Sequence, residues 1–173
     1  MALRDFSVPK ENFSDIILVI QGKRFHVEKQ YLSLYSSLFH SMFYSNLGDE
    51  KEIPLDDLKY DKFVELLHVI YPSHTPVTNK TVQFLLRLSD RFGIDYVLYH
   101  CVAFLGSAEC TASVTEKLLW VDFYCFRELD GLCKSLFKTV DDVKTLNWYH
   151  PTSVASLPDR VMAAVMRQCL KVI

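Results

Sequence analysis

The chain has 173 residues, half of them hydrophobic and 23% charged, with a formal net charge of −2. That length supports one domain, or one domain with an appended piece, and is enough to bury a core without disulfide staples. The apolar content excludes a disordered chain. The interspersed charges, with no basic stripe, argue against nucleic acid as the main partner.

Met1–Lys10 carries charges and a proline where a signal peptide needs an apolar run, and aliphatic runs such as Ile16–Ile20 are far too short to cross a bilayer. The expectation is a soluble intracellular protein, cytoplasmic or nuclear, with no membrane partner. The five cysteines (Cys101, Cys110, Cys125, Cys133 and Cys169) are odd in number, lack C-x-x-C spacing and have apolar or aromatic neighbours. They read as reduced, buried thiols rather than as ligands of a metal or redox cofactor.

Asp15–Gln21 is a β-branched run closed by Gln21-Gly22-Lys23, and a second extended run reaches Val27. Strand, glycine turn and strand predict a hairpin. The unbroken apolar run predicts a first strand covered on both faces. From Lys29 the period becomes helical. A short helix anchored by Leu32 ends near Tyr35, and Ser36 or Ser37 caps a second with Leu38, Phe39, Met42 and Phe43 as its apolar face. In the loop that follows, "SNLGDE", Leu47 is an isolated aliphatic residue. Glu52–Leu55 reads as a short edge strand, since Pro54 cannot donate to a ladder. Asp56 or Asp57 is expected to cap the next helix, with Phe63, Leu66, Leu67 and Ile70 buried and Pro72 as its stop.

The remainder is predicted helical. Two segments resemble each other: Val82, Leu86, Asp90, Val97, Cys101 and Leu105 align with Val114, Leu118, Asp122, Leu129, Cys133 and Phe137. Each copy reads as a helix, a bend and a second helix, and such hairpins bury their apolar faces against each other. A further helix start is expected at Leu146–Tyr149. Ser156–Asp159 then reads as the N-terminus of a helix whose apolar stripe is Val161, Met162, Val165, Cys169 and Leu170. That stripe must pack within the chain or on a partner. The fold class is α+β with helix dominant: a small sheet wrapped by helices, then a helical extension.

Motifs for chemistry are missing. There is no G-x-x-x-x-G-K-[ST], G-x-G-x-x-G or G-x-S-x-G, and no His/Cys metal spacing. His100 and Cys101 are adjacent, but neighbours on a helix point about 100° apart and do not form a dyad. The acidic pairs Asp56-Asp57 and Asp141-Asp142 precede helices, where capping explains them. Trp120, Phe123, Tyr124 and Phe126 are too many aromatics for one helix face, so some should reach the surface, where Trp and Tyr are favoured contact residues. A binding or assembly module, not an enzyme, is the class that remains.

Three stretches in this order, "SDIILVIQGKRFHVEKQYLSLYSSLFHSMF", "IPLDDLKYDKFVELLHVIYPS" and "LLRLSDRFGI", resemble a BTB/POZ domain. The matching features are Asp15 opening the first strand, the Gly22 turn, Phe25, the Ser-x-x-Phe-x-x-Met-Phe step at Ser36–Phe43, and Tyr71 ending the third helix. The likeness runs from Phe13 to about Leu105 and is greatest to the BTB half of MATH-BTB adaptors. It implies a BTB/POZ domain over residues 13–106 and a helical extension of 3-box or BACK type over 107–173.

The resemblance further implies an adaptor without catalysis or cofactor. Such an adaptor forms a homodimer or a heterodimer with another BTB protein, binds the cullin-3 N-terminal domain and recruits an unknown substrate to a cullin-RING ubiquitin ligase. Cullin-binding residues carried over are Phe43, Leu47, Asp49, Tyr71, Leu119, Asp122 and Tyr124; dimerisation residues are Phe13, Tyr31 and Leu32. In cullin-binding members a loop bears a hydrophobic-x-Glu motif, and the matching tripeptide here is Leu47-Gly48-Asp49. Two places depart from the family. Val27-Glu28-Lys29 replaces Ala-His-Lys. Tyr35 stands where an arginine is common, in a pocket that holds charged groups for co-repressor peptides in transcription-factor members. None of these 173 residues reads as a MATH domain, a kelch repeat or a zinc finger. Substrate recruitment is therefore expected through a full-length partner or the C-terminal helices, unless the chain acts as a competitor. The alternative is an oligomerisation or regulatory module with no ligase role.

Overall fold

The computed structural model describes residues 3–11, 13–44, 51–144, 146 and 157–173. They fall into two compact units, one comprising residues up to 76 together with 87–97, the other 77–86 with 98–173.

The first unit is built on a three-stranded sheet in the order β2-β1-β3. β1 (Ile16–Ile20) pairs antiparallel with β2 (Lys23–Val27), Leu18 opposite Phe25, and parallel with β3 (Glu52–Pro54), Leu18 opposite Ile53. The hairpin turn has both central residues at positive φ, Gln21 at 50° and Gly22 at 73°. That geometry matches the twist of the paired strands and is the reason a glycine sits there. β1 is not sealed on both faces: Ile16, Leu18 and Ile20 are buried, whereas Ile17 and Val19 are only half-buried. The run is unbroken in sequence, yet burial alternates along the strand, one face being deeper than the other.

α1 (Lys29–Tyr35) and α2 (Ser37–Tyr44) follow. Ser36 caps α2: its Oγ accepts from the Phe39 N–H at 3.1 Å and donates to the Phe92 carbonyl. Phe39 and Phe43 are buried, but Leu38 is 42% exposed, so the inward face of α2 is narrower than the apolar pattern predicts. α3 (Tyr60–Ile70) buries Phe63, Leu66, Leu67 and Ile70 as expected. Its start differs from expectation. Lys59 is the N-cap, with no side-chain bond of its own, and the Tyr60 N–H is satisfied by Gln21 Oε1 at 3.1 Å. Asp57 lies at a φ of 60° in the preceding turn. Aromatic rings fill the centre: Phe39 stacks on Phe92 at 4.7 Å, and Phe25 meets Phe63 edge-on at 5.2 Å.

The remaining helices are α4 (Val82–Phe92), α5 (Asp95–Leu105), α6 (Val114–Cys125), α7 (Leu129–Leu136), α8 (Val140–Lys144) and α9 (Asp159–Val172), with a 3-10 turn at Phe126–Glu128 before α7. The aligned segments begin their helices at the aligned residues Val82 and Val114. α6 opens on a reciprocal capping box: Ser113 Oγ accepts from Glu116 N–H at 3.3 Å, and Glu116 Oε2 accepts from Ser113 N–H at 2.9 Å. Thr139 and Asp142 repeat the device at α8. In the second unit α9 packs on α7 and also meets α6 and α8. Its stripe is therefore covered within the chain, by Val161, Ala164, Val165 and Cys169 rather than by Leu170, which is 74% exposed. The helix start expected at Leu146–Tyr149 falls, beyond Leu146, outside the described residues. All five cysteines are buried and free. Among the described residues no helix is long and apolar enough to cross a membrane.

Candidate functional site

The most constructed polar cluster lies in the first unit, around the residues before β1. Arg4 donates from Nη1 to both oxygens of Glu28, at 2.7 and 2.9 Å, and from Nη2 to Ser14 Oγ and the His26 carbonyl, at 3.2 and 2.9 Å. Tyr71 donates its hydroxyl to Glu28 Oε2 at 2.6 Å. The Arg4 guanidinium also lies 4.9 Å from the ring centres of Phe6 and Tyr71, which partly replaces the water it has lost. Phe6 is 2% exposed and accepts the His26 N–H at its carbonyl, 2.8 Å. His68 Nε2 lies 3.0 Å from the Arg4 carbonyl. Burial first, and the Glu28 carboxylate second, push the Tyr71 phenol above the ordinary tyrosine range, so it stays a hydrogen-bond donor.

This clamp was not legible in sequence. "MALRDF" reads only as a poor signal peptide, and its partners lie far along the chain. The available signals were Phe6, an isolated aromatic ahead of the first strand, and the acid Glu28 at a position where the family carries another residue type. The clamp fixes the path of the N-terminal segment and so places Phe13, which is 60% exposed with the Lys10 ammonium 4.6 Å from its ring centre.

The residues expected at a dimer contact divide. Phe13 is at the surface. Tyr31 is half-buried, lies tilted against the Tyr71 ring at 4.6 Å between centroids and donates its hydroxyl to the Ile70 carbonyl at 3.0 Å. Leu32 is fully buried and anchors α1 in the core. The helical anchor that the sequence requires there and a surface role compete, and burial wins. Leu34, 76% exposed, and Leu38 offer the apolar surface that Leu32 does not.

The residues expected at a cullin contact divide likewise. Leu47 and Asp49 lie outside the described residues. Phe43 and Tyr71 are 3% and 4% exposed, so their side chains lie in the interior. In the second unit Leu119 is exposed and Tyr124 half-buried. Asp122 is buried against Arg160 of α9: a directed bond runs from Nη2 to Oδ2 at 2.8 Å, while Nε sits 2.7 Å from Oδ1 as an ion contact without hydrogen-bond alignment. Asp122 thus links α6 to α9. The exposed neighbour that the expectation omitted is Phe123, 77% exposed and edge-on to Tyr124 at 4.8 Å. Leu119 and Phe123, four residues apart, form one apolar strip on α6.

Burial, aided by the neighbouring Cys125 thiol, pushes the Cys101 thiol up to about 12, so it stays protonated near neutral pH and the His100–Cys101 adjacency supplies no thiolate.

The family profile described as BTB/POZ domain matches residues 6–109. The chain is 37% identical to BTB and MATH domain-containing protein 38 of Caenorhabditis elegans, over 98% of this chain and 43% of that protein. It is 35% identical to protein 36 of the same series and organism, over 97% of this chain and 52% of that protein. Kelch-like protein 40 of Xenopus tropicalis is 38% identical over 60% of this chain and 17% of its own length. The chain spans about half the length of the curated BTB and MATH relatives it matches. Among solved structures, the BTB domain of human gigaxonin aligns with a TM-score of 0.48 and 22% identity, covering 54% of this chain and 79% of that one.

Proposed function

The chain belongs to the BTB/POZ domain family, and from that premise we propose that it is a dimeric adaptor that binds the cullin-3 N-terminal domain and brings substrates to a cullin-RING ubiquitin ligase. Residues 13–106 act as the BTB/POZ domain and 107–173 as a helical extension of 3-box or BACK type. The observation that carries the reading is the apolar strip on α6. Leu119 and Phe123 are exposed side by side on α6, and such a paired apolar exposure supports a contact there. Leu119, Phe123 and Tyr124 touch the cullin, and the Asp122–Arg160 pair holds the helix that presents them. Leu47 and Asp49 contribute the loop motif that the family resemblance assigns to this contact. Phe13, Leu34 and Leu38 supply the dimer face, with a second copy or another BTB protein as partner. The setting is cytoplasmic or nuclear.

Isothermal calorimetry with the purified cullin-3 N-terminal domain tests the reading. Binding with a Kd of about 10 μM or tighter is the expected result. A folded, dimeric protein giving no heat at that concentration overturns it. That outcome would favour a self-associating module with no ligase role, for which the exposed Phe13, Leu34 and Leu38 suffice.

A further inference from the structure

α9 has two apolar faces, and only one of them is covered. Val161, Ala164, Val165 and Cys169 are buried in the second unit. Ala163, Met166, Leu170 and Ile173 lie on the other side and are exposed, the last three at 44%, 74% and 82%. Their spacing of three, four and three residues is the a/d repeat of a helix–helix seam. A charged row runs beside it: at about 100° per residue, Arg167 and Lys171 follow one another along the flank of the stripe.

That flank borders a hollow of about 80 Å³, lined by Asp130, Cys133 and Lys134 of α7 and by Arg167, Gln168 and Lys171 of α9. Arg167 is held by Asp130 at 3.0 Å. Gln168 donates to the Phe137 carbonyl at 3.0 Å. Lys134 and Lys171 have no ion-pair partner among the described residues. Three cations therefore surround one carboxylate, and the surplus charge is positive.

We propose that the exposed face of α9 docks an amphipathic helix of a partner protein whose apolar seam meets Ala163, Met166, Leu170 and Ile173 and whose acidic flank lies against Lys134, Arg167 and Lys171. The stripe runs along one face of α9, the shape that an amphipathic helix laid lengthwise against it covers with its own apolar seam. The surplus cations select an acidic flank over a basic one and reject a second copy of α9, whose own Arg167 and Lys171 would add like charge. The site lies on the opposite side of α9 from the buried stripe and needs neither the α6 strip nor the loop at Leu47.

The test uses the full chain and two designed peptides of repeating heptads, leucine at a and d, with glutamate on the flanks of one and lysine on the flanks of the other. Fluorescence anisotropy is expected to show the glutamate peptide binding at least about tenfold more tightly, with the preference fading as salt rises. Amide shifts should centre on Met166, Leu170 and Ile173. Leu170→Asp, at an exposed position, should abolish binding without lowering the melting temperature, and the double variant Lys134→Glu/Lys171→Glu should invert the preference between peptides. Equal affinity for both peptides, binding insensitive to Leu170→Asp, or concentration-dependent self-association that Leu170→Asp removes would each overturn the proposal.

Discussion

The Asp122 carboxylate of α6 and the Arg160 guanidinium of α9 meet at 2.7–2.8 Å, with Asp122 6% exposed and Arg160 58% exposed at the side chain. The buried partner is the one at risk when the pair is broken, since a carboxylate already out of water would lose its counter-charge. Arg160→Ala should lower the urea midpoint at unchanged m-value, and Arg160→Lys should restore part of the loss. A midpoint unaffected by Arg160→Ala would mean that water reaches Asp122 and replaces the guanidinium.

On the same helix, Leu119 and Phe123 face solvent, so their removal should cost binding and not folding. Leu119→Asp should weaken cullin association by about 1.5–3 kcal/mol, the burial of one leucine, while the thermal transition stays within about 0.5 kcal/mol of the parent. Phe123→Ala should do the same. Calorimetric titration against circular dichroism melts separates the two effects. Loss of stability together with binding would show that these residues serve the fold.

Under the proposed function, Leu47-Gly48-Asp49 keeps the hydrophobe of the motif that the family resemblance implies and shortens its acid by one methylene. Asp49→Glu should therefore tighten cullin binding, and Leu47→Asp should abolish it while the dimer persists in light scattering. A weaker complex for Asp49→Glu would show that the register assigned to this motif is wrong.

The N-terminal clamp should matter to stability. Phe6→Ala empties a site that is 2% exposed and should cost about 3 kcal/mol. Tyr71→Phe removes a donor from the Glu28 carboxylate while keeping the ring, and should cost about 1.5–3 kcal/mol. Urea denaturation measures both; a silent Tyr71→Phe would mean that Arg4 alone satisfies Glu28.

The buried thiols give the protein an alkaline limit. Cys101 and Cys133 are raised from 9.0 to about 12, chiefly by burial. Above pH 9 the unfolded chain releases these protons and the native chain does not, so stability is intact below pH 9 and falls as pH rises toward about 12. Urea midpoints across that range should show the decline, with a shallower slope for Cys101→Ala. Native thiols should resist iodoacetamide at pH 8 and react once urea unfolds the chain. Rapid native alkylation at Cys101 would contradict its burial.

Much of the secondary structure was legible because its causes are local. The Gln21-Gly22 turn, the Ser36 cap, the stripe of Phe63, Leu66, Leu67 and Ile70, and the aligned starts at Val82 and Val114 each depend on residues within a few positions of one another. The misreadings share one cause. β1 looked sealed on both faces, Leu38 looked buried, and Asp56 or Asp57 looked like the cap of α3, because a pattern shows that a residue is apolar or a capper without showing what arrives opposite it.

The order of strands and helices, the hairpin geometry and the family likeness were thus determined by the sequence alone, through periodicity and turn chemistry. Tertiary packing alone decided which candidate side chains face solvent. It withdrew Leu32, Phe43, Tyr71 and Asp122 into the interior and left Phe13, Leu119 and Phe123 outside. It also formed the Arg4–Glu28 and Asp122–Arg160 pairs across 24 and 38 residues of chain. Exposure and pairing at such separations depend on which elements pack together, and no local pattern encodes that.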